Sequence, residues 1–136
     1  MKQPRVTLWL LRAILVVHAI AVMAQPLMAG FYLSGDVDAM NVHSPIGSTL
    51  WMISMVQIVI ALLYWRFGGG QVYPVVVTLG LFVAEFLQMV LGQTRSMTMH
   101  IVLGSAIVTT VLMFTGWSFT AAARVARPAK QAEPVG

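Results

Sequence analysis

The chain contains no cysteine. Disulfides, thiolate metal sites, iron–sulfur ligation and covalent c-type haem attachment are therefore excluded. Charge is almost as scarce. Only 9% of the 136 residues are charged, whereas about a quarter of an ordinary soluble domain is. Apolar side chains take the place of charge: they make up 59% of the chain, and mean hydropathy is +0.85. Such a chain has lipid as its solvent. Its net charge of +4 does not point to nucleic acid, because the basic residues sit at the ends of apolar stretches rather than in one patch.

Four stretches are long enough to cross a hydrocarbon core of about 30 Å as helices. They cover residues 6–31, 43–65, 72–92 and 100–122. The connections are short, which predicts an all-α, antiparallel, up-down-up-down four-helix membrane bundle over residues 1–127. The polar tail 128–136 contains proline and is expected to be disordered and cytoplasmic. Lys2, Arg5, Arg12, Arg66, Arg124, Arg127 and Lys130 fall on one side of this topology. Arg95, Asp36 and Asp38 fall on the other. The positive-inside rule then puts both termini in the cytoplasm. Trp9, Tyr64, Trp65, Tyr73 and Trp117 lie toward the inner ends, as an interfacial aromatic belt would. Val22-Met23-Ala24 before Gln25 has the form of a signal-peptide cleavage site. The apolar run continues past it to Phe31, however, and reads as a retained span.

Polar groups inside a span are expensive and face the bundle interior. At three- and four-residue spacing, His18, Gln25 and Ala29 share a face of the first span. His43, Gly47, Trp51 and Ser54 share one on the second. Thr78, Leu81, Glu85, Gln88 and Gly92 do so on the third, and His100, Gly104, Ile107, Val111 and Thr115 on the fourth.

Two units stand out: His43-Ser-Pro-Ile-Gly47 and His100-Ile-Val-Leu-Gly104. A residue four positions on lies one helical turn along the same face. A histidine with a bare backbone patch one turn deeper suits a flat macrocycle, because the imidazole reaches its metal and the glycine admits the ring edge. The second and fourth spans run in the same direction and are diagonal in the bundle. Their histidines can therefore approach one iron from opposite faces. Gly30, Gly47, Gly92 and Gly104 fall at similar depth, one per helix. Glycines also let membrane helices pack closely, but together at the histidine level they read as room for a planar cofactor.

Other residues complete the pattern. His18 and Glu85 lie at comparable mid-membrane depth and are expected to form a neutral or proton-sharing pair, since two full charges in lipid rarely recover their desolvation cost. That pair fixes helix register, or serves a proton route, or offers His18 to a second haem. Arg95, five residues before His100, is placed to meet a haem propionate. The ten methionines are scattered and read as adaptable packing rather than copper ligands.

The His-x-x-x-Gly units on the second and fourth helices resemble one four-helix half of the haem A synthase family, over about residues 25–115. The resemblance implies that His43 and His100 are axial ligands. It stops short of the synthase reaction. The family's catalytic carboxylate, three residues before the histidine of the second helix, is Met40 here, and its outer-loop cysteine pair has no counterpart. The chain also resembles small four-helix bacterial membrane proteins. That likeness implies a fold and no activity.

The expectation is a multi-pass bacterial plasma-membrane b-type cytochrome with one haem b near the outer face. Bis-histidine iron has no open position, so electron transfer is its default chemistry. Lipid surrounds it, and its partner is a quinone or an outer-face redox protein. A homodimer is compatible with this reading. Two alternatives stay open: a haem sensor or carrier, and a cofactor-free assembly or interaction subunit. A stand-alone enzyme is the less favoured reading.

Overall fold

The structure is a computed structural model that describes residues 5–126. The expected tail 128–136 lies outside the described residues, as do Lys2, Arg127 and Lys130 of the charge pattern. The apolar stretches form four helices: α1 (Arg5–Leu33), α2 (Met40–Arg66), α3 (Tyr73–Gln93) and α4 (Met97–Phe119). Each is long and apolar enough to cross a membrane. Even α3, the shortest at 21 residues, extends about 30 Å at the helical rise.

Each helix packs against its neighbours in sequence, and α4 closes against α1. The diagonal pairs, α1/α3 and α2/α4, make no close backbone contact among the described residues. This is the expected four-helix bundle. At most 33% of any apolar window is buried in it. Ile20, Val76, Val83, Ile101 and Met113 are among the apolar side chains left facing outward. A surface of that kind suits lipid, not water.

The interior follows a coiled-coil-like rhythm of alternating three- and four-residue steps. On α1 the buried positions are Leu8, Leu11, Leu15, His18 and Val22, and on α2 they are Leu50, Ser54, Gln57, Ala61 and Tyr64. On α3, Pro74, Thr78, Leu81 and Glu85 continue the pattern, as do Ile107, Val111, Phe114 and Ser118 on α4. Two residues assigned to interior stripes stand off these seams. Trp51 is half-buried and packs edge-on against Phe82 and Phe86 of α3, while Leu50 holds the seam. Thr115 is also half-buried, and Phe114 takes its place. A 3.6-residue helix lets either of two adjacent residues face inward, and here the better-fitting apolar side chain does so.

Two helices start three residues earlier than their apolar runs suggest. The Asp36 carboxylate accepts a hydrogen bond from the Asp38 N–H and opens a 3₁₀ turn, Val37–Ala39, that leads directly into α2. His43 therefore lies inside the helix, in true i, i+4 register with Gly47. Pro45 is the sixth residue of α2 and lacks the N–H that would otherwise bond the Asn41 carbonyl. Between α3 and α4 the chain reverses at Arg95, whose φ is +58°. Ser96 then accepts the His100 N–H at its carbonyl. α4 ends at Phe119 rather than near 122, where the backbone turns extended at Thr120.

The end opposite the histidines is closed by specific contacts. Arg12 is buried between the Trp9 and Phe119 rings, and its Nε donates to the Ser118 carbonyl at 2.9 Å. It thus satisfies one of the carbonyls that every helix leaves open at its C-terminus. Tyr64 is not an interfacial residue but a fully buried one. Its hydroxyl donates to the Ala123 carbonyl at 2.8 Å. Its ring lies flat on Gly70, where any side chain would enter the ring, so Gly70 is fixed as glycine.

Candidate functional site

At the histidine end, the first residues of α2 and α4 face the last turns of α1 and α3. His43 and His100 meet across the α2/α4 diagonal with ring centroids 6.2 Å apart and planes inclined by 59°. His43 Nδ1 lies 3.1 Å from the Gln25 carbonyl oxygen, and His100 Nδ1 lies 3.1 Å from the Gln88 carbonyl oxygen. A carbonyl only accepts, so each Nδ1 carries the proton. In the neutral ring that leaves a lone pair on each Nε2. Both imidazoles are thus oriented and tautomerised from behind in the manner of metal-ligating histidines.

The surroundings repeat with two-fold likeness. Gln25 and Ala29 stand to His43 and Gly47 as Gln88 and Gly92 stand to His100 and Gly104. A Cβ on Gly47 would lie 2.9 Å from Gln25 Oε1, and one on Gly104 would lie 2.7 Å from Gln88 Nε2. A Cβ on Gly92 would come within 3.0 Å of the His100 ring. Each of these glycines seats a side chain of the layer on bare backbone: Gln25 on Gly47, Gln88 on Gly104 and His100 on Gly92. Gly30 is different: it is exposed, and a Cβ there would meet nothing within 4 Å. The structure therefore gathers Gly47, Gly92 and Gly104 around the histidines and leaves Gly30 outside, with Ala29 in the corresponding place. Arg95 is exposed in the α3–α4 turn.

Two buried polar atoms in this layer have no protein partner: Gln25 Nε2 and Gln88 Oε1. Gln88 Nε2 is satisfied, since it donates to the His100 carbonyl at 2.8 Å. A buried donor and a buried acceptor left unmatched beside paired imidazoles mark a place where something other than protein belongs. A bare metal ion would want a larger protein donor set, and the described residues contain no group of three or more His, Asp, Glu or Cys able to hold one. A macrocycle that brings its own four nitrogens needs only two axial ligands. A metal–nitrogen bond of roughly 2 Å on each side, plus each ring's half-width, puts axial imidazole centres about 6 Å apart. The residues present fit that group.

Further along the axis lies a second polar layer, sealed from every surface. His18, Ser54, Gln57 and Thr78 are 0% exposed and Glu85 is 1% exposed. His18 Nε2 lies 2.7 Å from Glu85 Oε1, across the α1/α3 diagonal. Ser54 Oγ donates to Glu85 Oε2 at 2.7 Å. On the other side of the ring, Nδ1 lies 2.9 Å from Gln57 Oε1. Gln57 Nε2 donates to Thr78 Oγ1 at 3.0 Å, and Thr78 donates to the Pro74 carbonyl at 2.7 Å.

This chain of bonds fixes the protons. Thr78 spends its only hydrogen on Pro74, so it must accept from the Gln57 amide. The Gln57 oxygen then faces His18 and can only accept, so Nδ1 is a donor. One proton remains for the 2.7 Å contact between Nε2 and Oε1. The pair carries no net charge whichever atom holds that proton. His18 and Glu85 are brought together as their depth in the sequence suggests. Gln57 is the member that sequence reading missed, although it continues the 47, 50, 54 spacing of α2 and is the only amide in the middle of that helix.

Comparisons with protein families, with curated proteins and with solved structures return no match to this chain.

Proposed function

We propose that this protein is a membrane b-type cytochrome that holds one haem between His43 and His100. The observation that carries the reading is the histidine pair itself. Two imidazoles lie 6.2 Å apart across a diagonal, and each donates Nδ1–H to a backbone carbonyl, so that both Nε2 lone pairs remain for a metal. Gly47, Gly92 and Gly104 let Gln25, His100 and Gln88 pack directly on bare helix backbone, which fixes the side chains that surround the pair. When bound, bis-histidine haem supplies one-electron chemistry with no open coordination position, so the function is electron transfer. The chain's own part is to orient the two rings through their Nδ1–H bonds and leave Nε2 as the nitrogen for a metal. An exposed arginine at the same end, Arg95, is available to a propionate.

The test is spectroscopic. Purified wild type should be red, with a six-coordinate low-spin spectrum whose Soret band shifts on reduction and which does not bind carbon monoxide. His43→Ala or His100→Ala should give a high-spin spectrum or none. A colourless protein, or low-spin haem retained in both variants, would refute the assignment. Ready carbon monoxide binding to the reduced wild type would favour a sensor or carrier.

The same reading sets the histidine end on the outer side of a cell membrane, with both termini in the cytoplasm. The support is the charge asymmetry: Arg66 and Arg124 lie at the opposite end from Asp38 and Arg95, and all four are exposed. Single cysteines substituted at these positions in the cysteine-free chain should react with an impermeant reagent in intact cells at 38 and 95. Positions 66 and 124 should react only after lysis. Labelling of 95 and 66 from the same side would overturn this topology.

A further inference from the structure

The buried pair of His18 and Glu85 is not needed to hold a haem, and an apolar pair of similar volume would fix helix register at less desolvation cost. Ionisable groups inside a membrane are functional candidates for that reason. We propose that His18 and Glu85 form a proton-binding site that takes up one proton, from the histidine end, when the layer between His43 and His100 gains an electron. This rests on the haem reading above.

The proton balance can be written with the atoms present. Before reduction, one proton lies between Nε2 and Oε1, and Ser54 donates to Oε2. An external one-electron donor supplies the electron and the outer water supplies the proton. Afterwards Nε2 keeps a proton of its own, and the added one sits on Oε2. The Ser54 hydroxyl rotates from donor to acceptor, which a serine can do and a fixed amide cannot. Nδ1 continues to donate to Gln57 throughout. The electron's added negative charge is offset by the proton's positive one.

Position and insulation support the direction of uptake. His18 is seven residues from Gln25 along α1, so the pair lies about 10 Å below the histidine layer. At an effective dielectric of about 20, unit charges at that separation interact strongly enough to change an equilibrium roughly tenfold. Glu85 lies one helical turn from Gln88, whose Oε1 is one of the two unmatched polar atoms. With Gln25 Nε2, Gln88 Oε1 supplies unmatched polar atoms on the histidine side of the pair, so that end is its polar approach. Toward the opposite end the way is shut by fully buried Leu11, Leu15, Phe114 and Tyr64. The Gln57 amide also interrupts the hydrogen-bond chain there, because it cannot hand on a proton as a hydroxyl can.

Among the described residues, no other buried titratable group lies at the level of the pair. α2 presents Ser54 and Gln57, α3 presents Thr78, and α4 presents only apolar Ile107 and Val111 at that level. Arg12, the nearest buried cation along α1, is bonded to the Ser118 carbonyl instead.

The test is a redox titration of the haem-loaded protein across the pH range in which it stays folded. A one-electron, one-proton couple falls by about 59 mV per pH unit. A tenfold coupling confines the change to about one pH unit, so wild type should show a sloping segment at about half the full one-proton slope, and Glu85→Gln, which keeps the hydrogen bonds, should be nearly flat throughout. Reduced-minus-oxidised infrared difference spectra should show a carboxylic C=O band in wild type that is absent in Glu85→Gln. Should Glu85→Gln lose its haem, Ser54→Ala, which removes the acceptor for the added proton, should show the same flattening. A protein that binds no haem overturns the reading this rests on. A haem protein with a flat wild-type slope, a slope kept in both variants, or no carboxylic band overturns the proton site alone.

Discussion

Glu85→Ala should destabilise the bundle by about 3 kcal/mol, while Glu85→Gln should change its stability by less than about 1 kcal/mol. Single interhelical hydrogen bonds in membrane proteins average only about 0.6 kcal/mol, so the alanine effect needs a further cause. Removing Glu85 strips partners from two groups at once, the His18 Nε2 and the Ser54 hydroxyl, both with no exposure to water. It also leaves an ionisable ring in an apolar site. Glutamine behaves differently because Gln57 dictates the His18 tautomer. With Nδ1 already a donor, Nε2 of neutral His18 is an acceptor, and the new amide N–H can serve it. The new amide oxygen can accept from Ser54. The donors and acceptors match without any proton in doubt. Unfolding in mixed detergent micelles measures both variants. The double replacement His18→Leu/Glu85→Leu should recover most of the alanine loss, since it leaves no partner stranded. Equal costs for alanine and glutamine would show that the hydrogen-bond assignment is wrong.

The difference between these variants shows what the sequence could and could not convey. Fold class was legible because it depends on one-dimensional facts: four apolar runs of spanning length with short connections between them. The diagonal placement of His43 and His100 followed from the antiparallel order, and so did the meeting of His18 with Glu85. Proton roles were not legible. They depend on Gln57, which lies on a third helix and whose two ends differ chemically, and on Thr78, whose hydrogen is committed to a backbone carbonyl. Backbone acceptors have no signature in the sequence, and for that reason the Gln25 and Gln88 carbonyls behind the histidines also went unread. Tyr64 was misplaced for a related reason. An aromatic at a helix end suggests the membrane interface, but the Gly70 backbone and the Ala123 carbonyl offer it a buried seat. Helix starts were misjudged by three residues because hydropathy marks where a span enters lipid, whereas Asp36 and Ser96 decide where the hydrogen bonds begin.

The glycines give the sharpest contrast, because the sequence made them alike and the structure does not. Gly92→Leu should abolish low-spin haem binding, and Gly30→Leu should leave it intact. At position 92 even a Cβ would press on the His100 ring, 3.0 Å from Cε1 and 3.2 Å from Nδ1. Leucine must drive the ring aside and break the Nδ1–H bond to the Gln88 carbonyl. That bond is worth about 1 kcal/mol by itself. The larger effect is on aim, since a site holds its ligands usefully only within about 0.5 Å of the working position. At least a tenfold loss of haem is expected, equivalent to about 1.4 kcal/mol. At position 30 the new side chain projects into open space beside lipid. Leucine there gains about 0.5–1 kcal/mol of helix propensity over glycine and a few tenths more from lipid. The Gly30→Leu protein should therefore be as stable as wild type, or slightly more so. Haem content per protein, read from pyridine haemochrome and the Soret band, separates the two. Gly92→Ala should fall between, since the ring need yield only a few tenths of an ångström. Normal low-spin haem in Gly92→Leu would show that His100 does not hold the iron in the orientation that its bond to the Gln88 carbonyl imposes.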